Sequence, residues 1–257
     1  MLRLGVAFGL ALCLGGSTIA FAQSPGQGPP MPIATDLAKV PAGSWADYGM
    51  KLGQLPPMKM RIALVNKSAP GNEIETVVEG GMLAAAGKMV MHMMLGPGSD
   101  VSVKKMAMQF GGADPMELPI EMAGRKSFTK PNPKSALRSE TVKVPAGSFK
   151  AKHYRDKTPE GDTIDYWVSE NVPPFGLVKI EVDQKNNPQI KGKLIFELTG
   201  MGNDAKPLVT KPLKPFDQAA LMKQMMGASG TGAGTPGGGA PPHAPPPAPP
   251  PAPPAKK

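Results

Sequence analysis

The hexapeptide Val40-Pro41-Ala42-Gly43-Ser44-Trp45 returns, with one aromatic exchanged for another, as Val144-Pro145-Ala146-Gly147-Ser148-Phe149. Valine before proline favours an extended backbone, glycine permits a tight turn, and the closing aromatic is typical of strands. Each copy therefore predicts the opening of a hairpin region, and the pair predicts two similar halves of one sheet. The sequence holds two copies and no third, so it does not indicate a solenoid.

Strand patterns dominate the chain around and between the two copies. Met58–Val65 and Glu73–Glu79 alternate with period two, and turn signals such as Pro70-Gly71 separate the runs. Such short spacings favour antiparallel hairpins over crossover connections. We predict a mainly β protein, a curled antiparallel sheet or half-barrel with one C-terminal helix over Phe216–Met226; a β-sandwich is the alternative.

The N-terminus has the features of a secretory signal peptide. Arg3 supplies the positive charge, Leu4–Leu14 is apolar, and Ala20-Phe21-Ala22 fits a small-x-small cleavage site. The sequence therefore predicts a signal peptide over 1–22 and a mature protein located in the periplasm or secreted. Cys13, the one cysteine, would leave with the signal, so the mature chain would hold no disulfide.

Composition divides the remainder into three parts. Residues 23–39 are rich in Pro and Gly and predict a flexible N-terminal tether; residues 40–226 predict the β domain; residues 227–257, almost all Gly, Pro and Ala, predict a disordered tail. No segment after the signal is long and apolar enough to span a bilayer, so no transmembrane segment is expected. The net charge of +9 is spread along the chain, and secretion argues against a nucleic-acid partner.

Catalytic signatures are missing from the sequence. It has no Gly-x-Ser-x-Gly elbow and no phosphate-binding or dinucleotide fingerprint. Glu73, Glu75 and Glu79 stand at alternate strand positions, so we expect them to form a solvated sheet face rather than an acid–base pair. The sequence therefore predicts a non-enzymatic protein without a cofactor.

Methionine is the most informative residue type for a binding site. The chain has 18 methionines, and Met89-Val90-Met91-His92-Met93-Met94 is the densest cluster. Three interpretations stand: flexible core filling, a Cu(I) site on Met89, Met91 and Met93, or an adaptable apolar surface for a ligand or partner. In a strand these three share a face, while His92 and Met94 point away. The predicted ligand-binding residues are Met60, Ile62, Met89, Met91, Met93, Met106, Met108 and Trp167.

The second half of the chain carries a resemblance. Val144–Phe149, then Tyr166-Trp167-Val168-Ser169, Val172-Pro173 and Phe175–Lys179, resembles a G-x-F / Y-W-x-S / P-x-G-L-V-K strand pattern of secreted bacterial proteins of unknown function. That pattern is similar to the half-barrel sheets of the outer-membrane lipoprotein-sorting family, which wrap around acyl chains. The resemblance implies a half-barrel and, through it, a lipid ligand.

Two functional hypotheses follow. The first is a non-enzymatic envelope protein that binds an apolar ligand, a lipid or acyl chain, or an envelope partner on the curled sheet. The alternative is a periplasmic copper-binding protein that uses the methionine-rich strand, with Met89, Met91 and Met93 as ligands.

Overall fold

The described chain is built around an open antiparallel sheet of eleven strands. The computed structural model describes residues 10–14, 17–21, 31–84, 87–123, 128–158, 161–185 and 192–220. In chain order the strands are β1 (Leu10–Leu14), β2 (Ser17–Phe21), β3 (Met31–Pro32), β4 (Trp45–Leu52), β5 (Met58–Ser68), β6 (Gly71–Gly80), β7 (Lys88–Leu95), β8 (Val103–Phe110), β9 (Met116–Leu118), β10 (Phe128–Thr129), β11 (Arg138–Val144), β12 (Gly147–Lys157), β13 (Thr163–Val168), β14 (Leu177–Gln184) and β15 (Gly192–Gly202). Short 3-10 helices lie at Gly81–Leu83, Ile120–Ala123 and Pro133–Ser135.

Two runs of neighbouring strands build the sheet. One passes in chain order from β4 to β9 and the other from β11 to β15, and β15 pairs with β4 to join them. Only Ala69 and Pro70 connect β5 to β6, and so short a connection allows only antiparallel pairing. The prediction of a mainly β, antiparallel protein is confirmed, and the strands form one large sheet rather than the two packed sheets of a sandwich.

Contacts between strands that are distant in the sheet show its curvature. The backbone N–H of Ala146, in the turn after β11, donates to the Leu198 carbonyl of β15 at 3.1 Å, although three strands separate β11 from β15. Ser99, in the turn after β7, borders the same cavity as Lys150 of β12. The sheet therefore folds back on itself, with β9 and β11 as its two edges.

The two near-repeats occupy turns that differ in their surroundings. Gly43 precedes β4 at φ +87°, and Gly147 opens β12 at φ +133°. A methyl group on Gly43 would lie 2.6 Å from the carbonyl oxygen of Asn203, whereas on Gly147 its nearest neighbour would be the Phe149 ring at 3.9 Å. Both turns need glycine's backbone freedom, and only the first also needs the missing side chain.

One face of the sheet carries the hydrophobic core. Its least exposed apolar side chains are Tyr48, Ile62, Leu64, Ile74, Leu95, Phe175, Leu177 and Leu198. Tyr48 of β4 stacks on Phe196 of β15 with ring centroids 4.4 Å apart, and its hydroxyl donates to the Leu177 carbonyl at 3.0 Å. The core thus fastens the two runs together at the β15–β4 pair.

The segment before the first run packs against this core. Ile33 and Leu37 are 1% and 0% exposed. The Ile33 N–H donates to the Thr129 carbonyl at 2.8 Å, and the Ala34 N–H donates to the Phe175 carbonyl at 2.7 Å. Residues 31–39 therefore differ from the flexible tether predicted over 23–39, because two apolar side chains anchor them; residues 23–30 lie outside the described residues.

The residues after β15 return across the sheet as a strap, residues 203–217. The Ala205 N–H donates to the Gly43 carbonyl at 2.9 Å, and the Lys214 N–H donates to the Pro115 carbonyl, beside β9, at 2.9 Å. The helix predicted over Phe216–Met226 begins at residue 218, two residues later than expected. Residues 221–226 of that prediction lie outside the described part of the chain.

Two further predicted segments lie wholly or partly outside the main sheet. β1 and β2 pair with each other in a separate two-stranded sheet. The signal peptide predicted over 1–22 includes both strands and stays a prediction. The tail predicted over 227–257 lies outside the described residues.

Candidate functional site

Seven of the eight predicted ligand-binding residues share one face of the sheet. Met91 of β7 lies opposite Met108 of β8, and Met93 lies opposite Met106. Across β6, Thr76 is paired with both Met91 and Ile62, so the β5 and β7 residues point the same way. We call this set the methionine face; its members are Met60, Ile62, Met89, Met91, Met93, Met106 and Met108.

The methionine face is partly sealed and partly open. Ile62, Met93 and Met106 are buried in the core. Met60, Met89, Met91 and Met108 keep partial exposure while packing against that core. The methionine face therefore has partly exposed thioether side chains that pack on buried apolar residues. Thioether side chains adapt readily to an irregular apolar partner.

The opposite face of β7 has a different chemistry. Met94 and His92 point there, and His92 Nδ1 lies 3.3 Å from a carboxylate oxygen of Glu75 on β6. The three predicted copper ligands, Met89, Met91 and Met93, do share a face, and His92 is directed away from them. The imidazole therefore cannot complete a thioether site without a rearrangement of the strand.

Glu75 corrects the expectation of a solvated glutamate face. Its side chain is only 1% exposed. Its two carboxylate oxygens accept the backbone N–H groups of Leu208 and Val209, in the strap, at 2.8 and 2.9 Å. Burial raises the pKa of Glu75, but the His92 hydrogen bond and the two N–H groups outweigh it and hold that pKa below its ordinary value.

Trp167, the eighth predicted residue, does not join the methionine face. It is paired with Lys179 in β14 and with His153 in β12, on the side of the sheet opposite Tyr166 and Ile180. Its ring stacks on His153 with centroids 4.4 Å apart, and its indole N–H donates to Glu140 at 2.7 Å. Tyr166 and Trp167 point to opposite faces of the sheet, as expected for neighbours in a strand. Trp167 lies on the face that carries the polar side chains.

A charged network surrounds Trp167. His153, 3% exposed, places Nε2 2.7 Å from Asp165 and Nδ1 3.5 Å from Glu140. Arg155 donates two hydrogen bonds to Asp165. Burial raises the pKa of Asp165, but these bonds from Arg155 and His153 bring it below its ordinary value. The network ties β11, β12 and β13 together across their polar face, as cross-strand charge pairs do.

Two cavities lie beside residues 31–39, which we call the N-terminal segment. One of about 770 Å³ lies between that segment and β12, and one of about 750 Å³ lies toward Val40 and Asn203. Ala34, Thr35, Asp36 and Glu170 border both. Neither cavity is lined by any of the eight predicted residues. Neither cavity is predictable from the sequence, because its walls join segments that are far apart in the chain.

Metal-binding geometry of the usual oxygen, nitrogen and thiolate kind does not occur in the described ranges: no group of three or more His, Cys, Asp or Glu residues there could hold an ion. Within the same ranges, no helix has the length and apolar character needed to cross a membrane.

Comparison with known proteins finds likenesses among solved structures alone. No protein-family model matches it, and no curated protein matches it by sequence. Among solved structures it is similar to a hypothetical protein from Chlamydia trachomatis, at 13% identity and a TM-score of 0.39, covering 70% of this chain and 95% of that one. It is also similar to a protein from Bacteroides fragilis named as exported and given a YmcC-like fold, at 14% identity and a TM-score of 0.32, covering 66% and 98%.

The first of these neighbours is described as hypothetical and the second as exported. The similarity to lipoprotein-sorting half-barrels remains a prediction.

Proposed function

We propose that this chain is a non-enzymatic protein of the bacterial envelope that binds the acyl chain of a lipid on the methionine face. The observation that carries the proposal is the placement of Met60, Met89, Met91 and Met108 on one face, each only partly covered. Contiguous apolar side chains that stay partly exposed are typical of ligand-binding grooves and interaction sites.

Physical chemistry favours an apolar chain as the ligand. Each methylene group removed from water contributes about 0.8 kcal/mol, so even part of a long acyl chain yields useful affinity. Thioether side chains are unbranched and polarizable, and they adjust to chains of different length and unsaturation. The resemblance of Val144–Phe149 and Phe175–Lys179 to half-barrels that wrap acyl chains supports the same ligand, and the predicted signal peptide supports an envelope location.

Copper binding is the second candidate. Opposed residues in an antiparallel pair have Cβ atoms about 4.5–5.5 Å apart, so Met91 with Met108 and Met93 with Met106 bring four thioethers into one neighbourhood. Thioethers suit Cu(I). Copper ranks second because Met93 and Met106 are buried among apolar side chains and His92 pairs with Glu75 instead.

The test uses monopalmitoylglycerol, an acyl probe without charge, and compares Met91→Gln with Met94→Gln. Both change the same residue type on β7, but on opposite faces of the sheet. We expect Met91→Gln to weaken binding about tenfold, because an amide replaces an apolar contact, and Met94→Gln to bind within about twofold of the parent. No binding by the parent, or equal binding by both variants, would remove the methionine face as the site.

A further inference from the structure

The cavity of about 770 Å³ beside β12 forms where the curled sheet brings distant segments of the chain together. Ile33–Asp36 forms one wall, β12 forms another, and Ser99 approaches from the turn after β7. We call it the lysine cavity because Lys130, Lys150 and Lys152 all line it. It shares no residue with the methionine face. Its volume is within the range of small-molecule sites.

The lining of this cavity carries three lysines and two carboxylates, Asp36 and Glu170. Lys150 and Lys152 stand at alternate positions of β12, so both side chains leave the same face. Neither they nor Lys130 forms an ion pair or hydrogen bond with any residue that the structure describes. Lys179 of β14, by contrast, lies 2.9 Å from both Glu181 and Glu197.

Tyr154 adds a hydroxyl donor to the lining of the cavity. It follows Lys150 and Lys152 on the same face of β12, lines the cavity, and is 3% exposed. Its ring stacks on Tyr166 at 5.2 Å. The hydroxyls of Tyr48 and Tyr166 have partners in Leu177 and Asp156, but that of Tyr154 has none among the described residues. The hydroxyl can therefore donate to a ligand or to water in the cavity.

The remaining charges define where an anion would sit. Asp36 and Glu170 lie on the wall shared with the second cavity, and Asp36 is already 3.9 Å from Lys39. Burial, with the nearby charge of Glu170, raises the pKa of the Tyr154 phenol, which therefore stays protonated and can donate. The β12 wall, with Lys150 and Lys152, is thus the end of the cavity at which an anion would bind.

We propose that the lysine cavity binds a phosphate group, with the ammonium groups of Lys150 and Lys152 and the hydroxyl of Tyr154 as its donors. A phosphate carries up to two charges and three strong acceptor oxygens, which matches three lysines and a phenol better than a carboxylate does. The group could belong to a soluble phosphate ester or to a phospholipid headgroup, and both present negatively charged non-bridging phosphate oxygens to the β12 wall.

The experiment measures binding of the full mature chain to two probes: glycerol 3-phosphate, and vesicles of phosphatidylglycerol with phosphatidylcholine vesicles as the reference. Lys152→Gln and Tyr154→Phe are compared with Lys157→Gln, an unpaired lysine on the opposite face of the same strand. We expect each cavity variant to weaken binding about tenfold and Lys157→Gln to leave it within about twofold. Tyr154→Phe keeps the ring that stacks on Tyr166, so its effect reports the hydroxyl.

Binding of glycerol 3-phosphate assigns a soluble ester, and binding of phosphatidylglycerol vesicles alone assigns a headgroup; either supports the site if the cavity variants weaken it. The proposal is overturned if neither probe binds, or if Lys152→Gln and Tyr154→Phe bind like Lys157→Gln. Met91→Gln serves as a cross-check, since it should leave glycerol 3-phosphate binding unchanged whether or not the methionine face binds acyl chains.

Discussion

Glu75 joins two parts of the chain that lie far apart in sequence. Its carboxylate on β6 receives two backbone N–H groups of the strap and an imidazole from β7. Each of those donors would lose its partner if the carboxylate were removed, and the strap would lose its contact with the middle of the sheet. The buried Glu75 carboxylate therefore holds the strap against β6 and β7.

Replacing Glu75 with Gln tests this contact. The amide has one acceptor oxygen and presents an N–H₂ group to a backbone N–H, so we expect the free energy of unfolding to fall by about 2–3 kcal/mol at neutral pH. Glu79→Gln, an exposed change on the same face of the same strand, should cost less than about 0.5 kcal/mol. Urea unfolding monitored by circular dichroism measures both.

We also expect the contribution of Glu75 to the free energy of unfolding to depend on pH. The pKa of Glu75 is lowered in the folded protein, so its carboxylate contributes stability that is present above the unfolded pKa, about 4.3, and is lost as the pH falls through the lower folded value. The stability difference between the parent and Glu75→Gln should therefore shrink below about pH 4. A difference that stays constant down to pH 2 would show that the carboxylate charge is not what holds the strap.

Glu75 also shows the limit of strand periodicity. The alternation of Glu73, Glu75 and Glu79 correctly places them on one face, opposite Ile74 and Val78. The pattern implies solvent on that face, because charged residues at alternate positions usually meet water. Coverage by residues 208 and 209 is a non-local event that no local pattern contains. Trp167 differs from prediction for a related reason: alternation separates it from Tyr166 but does not say which face is apolar.

At the scale of elements, the N-terminal segment is the main departure from the sequence-based organisation. Its prolines and glycines indicate a loose chain, and only Ile33 and Leu37 argue otherwise. Two apolar residues in a stretch of this length carry no periodicity, so propensity alone cannot find them. In the structure they fill the space that the curled sheet leaves near Phe175, and the segment becomes a wall of both cavities.

Leu37→Ala should therefore behave as a core substitution. We expect it to lower the free energy of unfolding by about 2–5 kcal/mol, because it leaves a cavity at a fully buried position. Leu137→Ala removes the same atoms from a side chain that is 55% exposed and should cost less than about 1 kcal/mol. Equal losses in thermal or urea unfolding would mean that the segment does not pack as described.

At the scale of the whole molecule, the pairing of two runs of strands that are distant in sequence decides how the sheet is built. Short turns and period-two runs were sufficient for the antiparallel hairpins within each run of strands. The pairing of β15 with β4 was not predictable, because it joins the end of one run to the beginning of the other across about 150 residues. That pairing, together with the fold-back of β11 toward β15, creates the curvature on which both proposed sites depend.

Changing Met89, Met91 and Met93 together to Leu tests the methionine face without removing its apolar character. Volume and apolarity are nearly conserved, so the melting temperature should stay within about 5 °C of the parent. Binding of monopalmitoylglycerol should persist with an altered preference for chain length, since Leu is stiffer than Met. Cu(I) titration should not distinguish the variant from the parent, because His92 points to Glu75 and Met93 is buried. A tight Cu(I) complex in the parent that vanishes in the triple variant would instead make copper the ligand, because only the sulfurs have been removed.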